Sequence, residues 1–331
     1  MKFLIVGLGS MGKRRIRNLQ DLGEQDLIGF DVNKDRLDEC SKKYGIPTFS
    51  DISEAIKEKP DAMVISTPPD LHMKYADIAL ENEIHFFTEA SVMIEKMEEV
   101  IEKLKTSKIF GIPSSTMRFH PFVLQIKKIL EDNFIGKPLA FLHHTGQYLP
   151  DWHPWEDYRE FYVSKKETGA CREIVAYDLV WITFLFGKIY KVSGIKKKIS
   201  NLETDIDDMY NILLSFENNI QGSLTIDVLS RVPYIQMKII GENGNIAIDW
   251  IDGDLSYYTP EKGWQKVVVD TGKNLEKYIR PEDMYKDELE SFIDVIKSKK
   301  EIPYSFEDDL QILKILESVE KSSDENIHII I

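Results

Sequence analysis

The chain has 331 residues, 43% of them hydrophobic and 30% charged, which is the length of about two domains and the composition of an ordinary globular protein. A net charge of −14 argues against nucleic acid as a partner, because binding phosphates needs a basic face, and no stretch is apolar over membrane-spanning length, so no membrane partner is expected. Cys40 and Cys171 lie far apart and in no CxxC pattern, and the N-terminal apolar run is too short for a signal peptide; a reducing, cytoplasmic location without disulfides or structural zinc is expected.

The chain opens on Met1-Lys2-Phe3-Leu4-Ile5-Val6, a short apolar run with a β-branched bias, and breaks at Gly7-Leu8-Gly9-Ser10-Met11-Gly12. A helical pattern follows, with Ile16 and Leu19 apolar among Lys13, Arg14, Arg15 and Arg17. Strand, glycine turn and helix, in that order, are what a dinucleotide site requires. Gly7 permits the tight turn, Gly9 lets the backbone approach a pyrophosphate, and Gly12 lets the helix pack against the strand. The helix start at Ser10 and Met11 points free N–H groups at the phosphates. The next apolar run, Leu27-Ile28-Gly29-Phe30, ends in Asp31, about twenty residues beyond the turn, where an acid accepts hydrogen bonds from the adenosine ribose and repels a 2′-phosphate. NAD is the expected cofactor, favoured over NADP.

Helix and strand then alternate. A helix is expected over 33–44, a short strand near 47–49, and a helix ending near 56 capped by Ser50 or Asp51. Strands follow at 62–66, 84–88 and 108–112, separated by helices at 71–81 and about 94–106. Such alternation implies a doubly wound parallel sheet, an α/β Rossmann domain, with ligands beyond the carboxyl ends of its strands. Those ends carry Gly7, Asp31, Ser66-Thr67, Thr88-Glu89 and Pro113-Ser114.

After a linking helix near 121–133 the pattern changes. A long strand is expected over 138–147, then an aromatic, proline-containing loop, one helix near 173–186, and strands of alternating polarity from 189 to 269. Helices near 281–298 and 306–322 close the chain, the second with Ser305 and Asp308 as a possible capping box. This half reads as an α+β domain on an open, largely antiparallel sheet. The expected division is 1–118 for NAD binding, with the helix near 306–322 free to return to it, and 119–331 for substrate binding and self-association, because an open sheet face has to be covered. A homodimer or homotetramer is expected.

The runs Gly7-Leu8-Gly9-Ser10-Met11-Gly12, Ser66-Thr67-Pro68-Pro69-Asp70-Leu71-His72 and Met117-Arg118-Phe119-His120-Pro121 resemble the Gfo/Idh/MocA family of NAD(P)-dependent sugar and inositol oxidoreductases over nearly the whole chain. The resemblance implies that Thr67, Pro68 and His72 line the cofactor groove, with Ser66, Glu89, Ala90 and Arg118 counted with them. Two departures stand out. Relatives carry Glu-Lys-Pro after the fifth strand, the Lys assisting proton transfer; this chain has Glu89-Ala90-Ser91. Relatives also place Asp and His one helical turn apart, the His acting as general acid/base; this chain has Glu173 and Tyr177. A phenol starts near pKa 10 and an imidazole near 6.5. Nearby cations lower a phenol, and Arg172 and Lys166 are the sequence-near candidates. The expected proton chemistry therefore rests on Tyr177, supported by Glu173 and Arg172.

The stretch from Gly146 to Arg159 concentrates aromatic rings and acids, suited to stacking on sugar C–H faces and bonding to hydroxyls. Tyr148, Trp152, His153 and Trp155, with Lys166, are the expected substrate contacts. A similar Tyr-Leu-Pro-Asp-Trp-His-Pro run marks a branch of the family found with bacterial surface-sugar pathways. Adjacent His143 and His144 on a strand point to opposite faces, so no metal site is expected. The reading that follows is an NAD-dependent oxidoreductase acting on a sugar, sugar phosphate or nucleotide-linked sugar. Two alternatives stay open: a catalytically silent NAD- and sugar-binding partner protein, and an enzyme that keeps NAD bound and uses transient oxidation for epimerisation or elimination.

Overall fold

Five residues start the fold as β1 (Lys2–Val6), the four apolar ones buried, as a strand covered on both faces must be. The computed structural model describes residues 1–152, 157–160, 162–272, 280–298 and 300–331. After β1 come α1 (Ser10–Asp21), β2 (Asp26–Phe30), α2 (Lys34–Tyr44), β3 (Thr48–Phe49), α3 (Ile52–Lys57), β4 (Ala62–Ile65), α4 (His72–Glu81), β5 (His85–Thr88), α5 (Met97–Thr106) and β6 (Gly111–Pro113). The caps are local chemistry. The Asn33 side chain accepts the N–H groups of Asp35 and Arg36 at 2.9 and 3.3 Å, and Asp51 accepts that of Ser53 at 2.8 Å. Between the two candidates at that second cap, Asp51 is the one used. The sixth strand lies later than the 108–112 expected, because Ser107 closes the end of α5 through Leu104 and spends the next residues on the turn.

Among the described residues, six parallel strands form a sheet in the order β3-β2-β1-β4-β5-β6. The order reverses between β1 and β4, which makes the carboxyl end of β1 the topological switch point.

The chain continues through α6 (Pro121–Glu131), β7 (Pro138–Tyr148), α7 (Ala170–Phe186), β8 (Ile189–Lys197), β9 (Met209–Phe216), β10 (Gln221–Asp227), β11 (Leu229–Gly241), β12 (Asn245–Asp249), β13 (Asp254–Thr259), β14 (Gly263–Val267), α8 (Asp283–Ser298), α9 (Phe306–Glu325) and β15 (Ile329–Ile330). The second sheet runs β14-β13-β12-β11-β7-β10-β9-β8-β15. All its pairings are antiparallel except β7 with β10. The side chains of α7 pack on β9 and β10. Ser305 and Asp308 form the reciprocal capping box at α9: the Ser305 N–H donates to Asp308 at 2.9 Å and the Asp308 N–H donates to the Ser305 hydroxyl at 3.2 Å.

Two compact units result, Met1–Thr116 with Glu282–Gln311, and Met117–Pro281 with Ile312–Ile331. Thus α8, assigned on sequence to the second part of the chain, belongs to the first unit. Leu289, Phe292, Ile293 and Val295 enter the same core as Phe3, Ile5, Ile16, Leu19 and Phe87. The first residues of α9 also lie in the first unit and the rest in the second. No helix among the described residues is long and apolar enough to cross a membrane.

Candidate active site

In the first unit the glycine turn is fixed by sterics. Gly7 has φ +90, and a Cβ there would lie 2.6 Å from the Ser66 carbonyl oxygen. A Cβ on Gly12 would fall inside the shell of the Gly7 carbonyl oxygen, so α1 leaves β1 this closely only with hydrogen at that position. Gly9 differs. Among the described residues a Cβ there would meet Arg36 Nη1 alone, at 3.8 Å, so none of them demands glycine. At the same point Gly9 begins α1 with no side-chain cap and no acid in the first turn, while Ser10 is exposed. Open space over a backbone and a helix start whose N-cap residue carries no side chain fit a bound pyrophosphate.

Asp31, 4% exposed, accepts the Leu8 N–H at 2.7 Å and the Asn33 N–H at 2.8 Å, and Arg36 Nη1 stands 3.6 Å away. The acid ties the glycine turn to the end of β2 and keeps a negative charge where a ribose would lie. Met11 contributes its thioether to Arg14 at 3.4 Å.

Glu89, counted on sequence with the cofactor groove, is turned inward. Its two oxygens accept from Arg15 Nε at 2.7 Å and Nη2 at 2.8 Å, and Ser66 adds a third bond at 3.0 Å. Arg15 has no exposed surface and also reaches Glu288 at 2.9 Å, which accepts from Ser114, Ser115 and Thr116. Burial alone would raise Glu89; the Arg15 charge and hydrogen bonds hold it below the usual carboxylate range. Glu288 is raised by burial and by the Glu89 charge. Removing one partner of a buried pair typically costs about 3–5 kcal/mol, so Glu89 serves as a strut under the Ala90 segment.

His72 is 2% exposed and its Nε2–H donates to the Thr67 carbonyl at 2.9 Å. Its Nδ1 is then an acceptor, buried and without a partner among the described residues, as is Thr67 Oγ1. Burial lowers the imidazole, which stays neutral. Pro68 leads into the short turn before α4.

In the second unit the site is α7. Three short 3-10 turns over Tyr158–Glu160, Tyr162–Ser164 and Lys166–Thr168 lead to its start. The Thr168 hydroxyl donates to the Tyr162 carbonyl at 2.7 Å and pins that turn, so that the Tyr162 hydroxyl donates to Glu173 Oε1 at 3.0 Å. Glu173 Oε2 is buried with no hydrogen-bond partner among the described residues. Burial pushes the Glu173 carboxyl up to about 7, against the opposing pull of the Tyr162 bond and the Arg280 charge. Tyr177 lies one turn on, and the Arg280 guanidinium carbon stands 4.4 Å from the centre of its ring.

Beside this pair, Asp178 accepts from His143 Nε2 at 3.1 Å, from Thr145 at 2.8 Å and from Trp181 Nε1 at 3.0 Å. Burial would raise it, but the His143 charge and these bonds keep it low. His120 caps α6 by accepting the Phe122 N–H on Nδ1 at 3.1 Å. Burial and the Arg280 charge push it down to about 3, so it is neutral with its proton on Nε2.

Arg172 is not the cation beside Tyr177. Its Nε pairs with Glu320 at 2.8 Å and its Nη1 donates to the Glu167 carbonyl at 2.9 Å. Lys166 is exposed in the last short turn. Arg118, placed with the cofactor set on sequence, stacks 4.4 Å from the Phe184 ring in the second unit. Tyr148 ends β7 under the Arg231 guanidinium at 3.6 Å, and Trp152 Nε1 is buried without a partner among the described residues. His153 and Trp155 lie outside the described residues. His143 and His144 separate as alternation demands, the second bonding Asp227 at 2.7 Å. Sequence reasoning missed Tyr162 and Arg280, and quoted His120 only as part of a motif. The local pattern marks none of them, since each is brought to α7 from another segment.

Residues 1–110 match an oxidoreductase family described as having an NAD-binding Rossmann fold, and residues 123–247 match the Gfo/Idh/MocA C-terminal domain. The chain belongs to the Gfo/Idh/MocA family. A myo-inositol 2-dehydrogenase from Thermotoga maritima is 24% identical, over 98% of this chain and 97% of its own. Among solved structures, an oxidoreductase from Agrobacterium radiobacter in complex with NAD+, L-tartaric acid and magnesium superposes with a TM-score of 0.88 at 15% identity, covering 100% of this chain and 98% of that one. A levoglucosan dehydrogenase in complex with NADH superposes with a TM-score of 0.86 at 20% identity, over 100% and 98% of the two chains. The first unit of this family member is therefore its NAD-binding domain, as the open backbone at Gly9 at the start of α1 fits.

Proposed function

We propose that this protein is an NAD-dependent dehydrogenase that interconverts a ring carbinol and ketone on a sugar or polyol, with sugar phosphates and nucleotide-linked sugars within the same class. The observation that carries the reading is the buried Glu173 carboxyl, poised at about 7 one helical turn from Tyr177, in a chain whose first unit is a dinucleotide fold. The names of the relatives, a myo-inositol dehydrogenase and a levoglucosan dehydrogenase, support the substrate class.

Gly7, Gly9, Gly12 and the first N–H groups of α1 would hold the pyrophosphate, and Asp31 the adenosine ribose. When bound, NAD supplies the hydride acceptor. Oxidation of a carbinol also requires that its hydroxyl proton be removed. That task falls to Tyr177 with Glu173, which exchanges a proton near neutral pH. Tyr162 steadies Glu173 through Oε1 and leaves Oε2 open to receive the proton. Neutral His120 adds an N–H donor that carries no charge.

The test is turnover with myo-inositol and levoglucosan in the presence of NAD, followed by NADH absorbance. Tyr177→Phe keeps the ring and removes the transferable proton; kcat is expected to fall about 10²- to 10⁴-fold with NADH affinity unchanged. Full activity in Tyr177→Phe would overturn the assignment of the proton to this pair.

A further inference from the structure

The cation that works on the α7 site comes from a part of the chain remote in sequence. Arg172 is held by Glu320 and by the Glu167 carbonyl, and Lys166 is exposed, so neither is applied to Tyr177. Arg280 is. Its guanidinium lies on the face of the Tyr177 ring, 4.4 Å from the centroid. Its charge is felt at Glu173, at Asp178 and at His120, which sit on two different helix segments. One side chain thus acts on Glu173, Asp178 and His120 as well as on the Tyr177 ring.

We infer that Arg280 is a positioning residue for this site: stacked on Tyr177, it supplies the positive field that holds the Tyr177–Glu173 pair in the charge state needed for proton transfer. This rests on the function proposed above.

The reasoning is electrostatic. A carboxyl packed in protein resists ionisation, and Glu173 is raised for that reason. Tyr162 donates one bond to it, and the charge that opposes the rise is that of Arg280. Asp178 has its own counter-charge in His143 and its own N–H donor in Trp181, so it depends on Arg280 least. His120 responds with the opposite sign, its cationic form being disfavoured by Arg280. The same guanidinium on the phenol ring favours negative charge developing on Tyr177 as a proton leaves or arrives. Without Arg280, Glu173 would keep its proton to higher pH and Tyr177 would lose the guanidinium stacked on its ring.

The experiment replaces Arg280 by Gln and follows two independent readouts. The first is the titration of the Glu173 carboxyl in the cofactor-free protein, by carbon-13 NMR of glutamate-labelled chain with Glu173→Gln as the assignment control. The second is the pH profile of kcat/KM with myo-inositol or levoglucosan. Arg280→Gln is expected to move the Glu173 titration upward by about one unit, the size of effect a nearby opposite charge exerts, and to move the acid limb of the profile with it. Arg280→Lys, which keeps the charge, should return both towards wild type. If Arg280→Gln does not fold, Arg280→Met keeps the apolar stem on the Tyr177 ring and serves in its place. An unmoved Glu173 titration in a folded, charge-removed variant overturns the inference, whatever the activity. A shifted titration in a protein that oxidises neither probe supports the inference and counts against the proposed function, so the two fail separately.

Discussion

The glycine turn of the first unit and the α7 cluster of the second solve their problems by opposite means. The turn uses the absence of side chains. Gly7 and Gly12 are demanded by backbone oxygens of the protein itself, and Gly9 by none among the described residues. The cluster uses side chains brought from several segments: Tyr162 from a short turn, Glu173 and Tyr177 from α7, His120 from the start of α6, and Arg280 from just before α8. A site made of backbone is written into consecutive residues, whereas a site made of converging side chains is written nowhere in particular.

The largest effects should separate the three glycines. Gly12→Val drives a branched side chain into the Gly7 carbonyl and should destabilise the first unit by about 3 kcal/mol. Gly9→Ala should leave the melting temperature of the free protein unchanged, since its Cβ enters open space. It should nevertheless weaken NADH binding by about tenfold or more, because the space it fills is the approach to the pyrophosphate. Calorimetric titration with NADH, together with melting curves, reads both. Wild-type NADH affinity in Gly9→Ala would place the phosphates away from this turn.

This contrast also explains what could be read in advance. Strand, turn, helix and Asp31 were legible because each leaves a local mark: an apolar run, a glycine, a period, an acid at a set distance. The Asp31 bonds to Leu8 and Asn33 even show why the acid ends β2, since it ties the turn in place. The place of α8 was not legible. Its apolar stripe of Leu289, Phe292 and Ile293 says that the helix is packed but not on which sheet. The partner of Glu89 is hidden for a related reason: a carboxylate at a strand end suits a ligand site, and only the fold reveals the fully buried Arg15 that bonds both its oxygens. Sequence proximity points to Arg172 and Lys166 and gives no sign of Arg280, and the partner of Arg172, Glu320, lies far along the chain.

The two units also respond to pH, because each buries an acid raised to about 7. In the first unit it is Asp309, 3% exposed and bonded by Tyr304 at 2.9 Å; in the second it is Glu173. Both folded-state values lie above the unfolded ones of 3.8 and 4.5, so the native protein holds extra protons between about pH 4 and 7. The stability they contribute is complete below that window and is lost as pH rises through it, by an amount of order 4 kcal/mol for Asp309. Glu173 keeps some exposed surface and should contribute less. Asp309→Asn and Glu173→Gln should each melt near wild type at pH 4 and above it at pH 8. Only Glu173→Gln should also lower turnover. An Asp309→Asn protein whose melting shows the same pH dependence as wild type would mean that Asp309 ionises normally in the folded state.

The smallest expected effect on stability concerns the face of the second sheet opposite α7. There Leu142 on β7 and Leu213 on β9 flank Ser223 of β10 in a single row, each paired with it across the ladder, and Ser193 of β8 continues the row. The two leucines are 51% and 59% exposed, and Ile195 beside them on β8 is 66% exposed. Polar neighbours on this face satisfy one another, Thr225 with Asn211 at 3.1 Å and Ser215 with Gln221 at 2.9 Å, which leaves the leucines as the apolar part of a face not covered by α7. A second copy of the chain would meet the same row, and a self-complementary contact closes as a dimer without exposing a new edge. The proposed assembly is at least a homodimer through this face. Leu213→Glu should therefore leave the melting of an isolated subunit within about 0.5 kcal/mol, as surface changes do, while shifting the mass in light scattering from that of an assembly to that of a monomer. Wild-type protein that is monomeric at micromolar concentration would remove the proposal. An oligomer whose mass is unchanged by Leu213→Glu would place the contact on another surface.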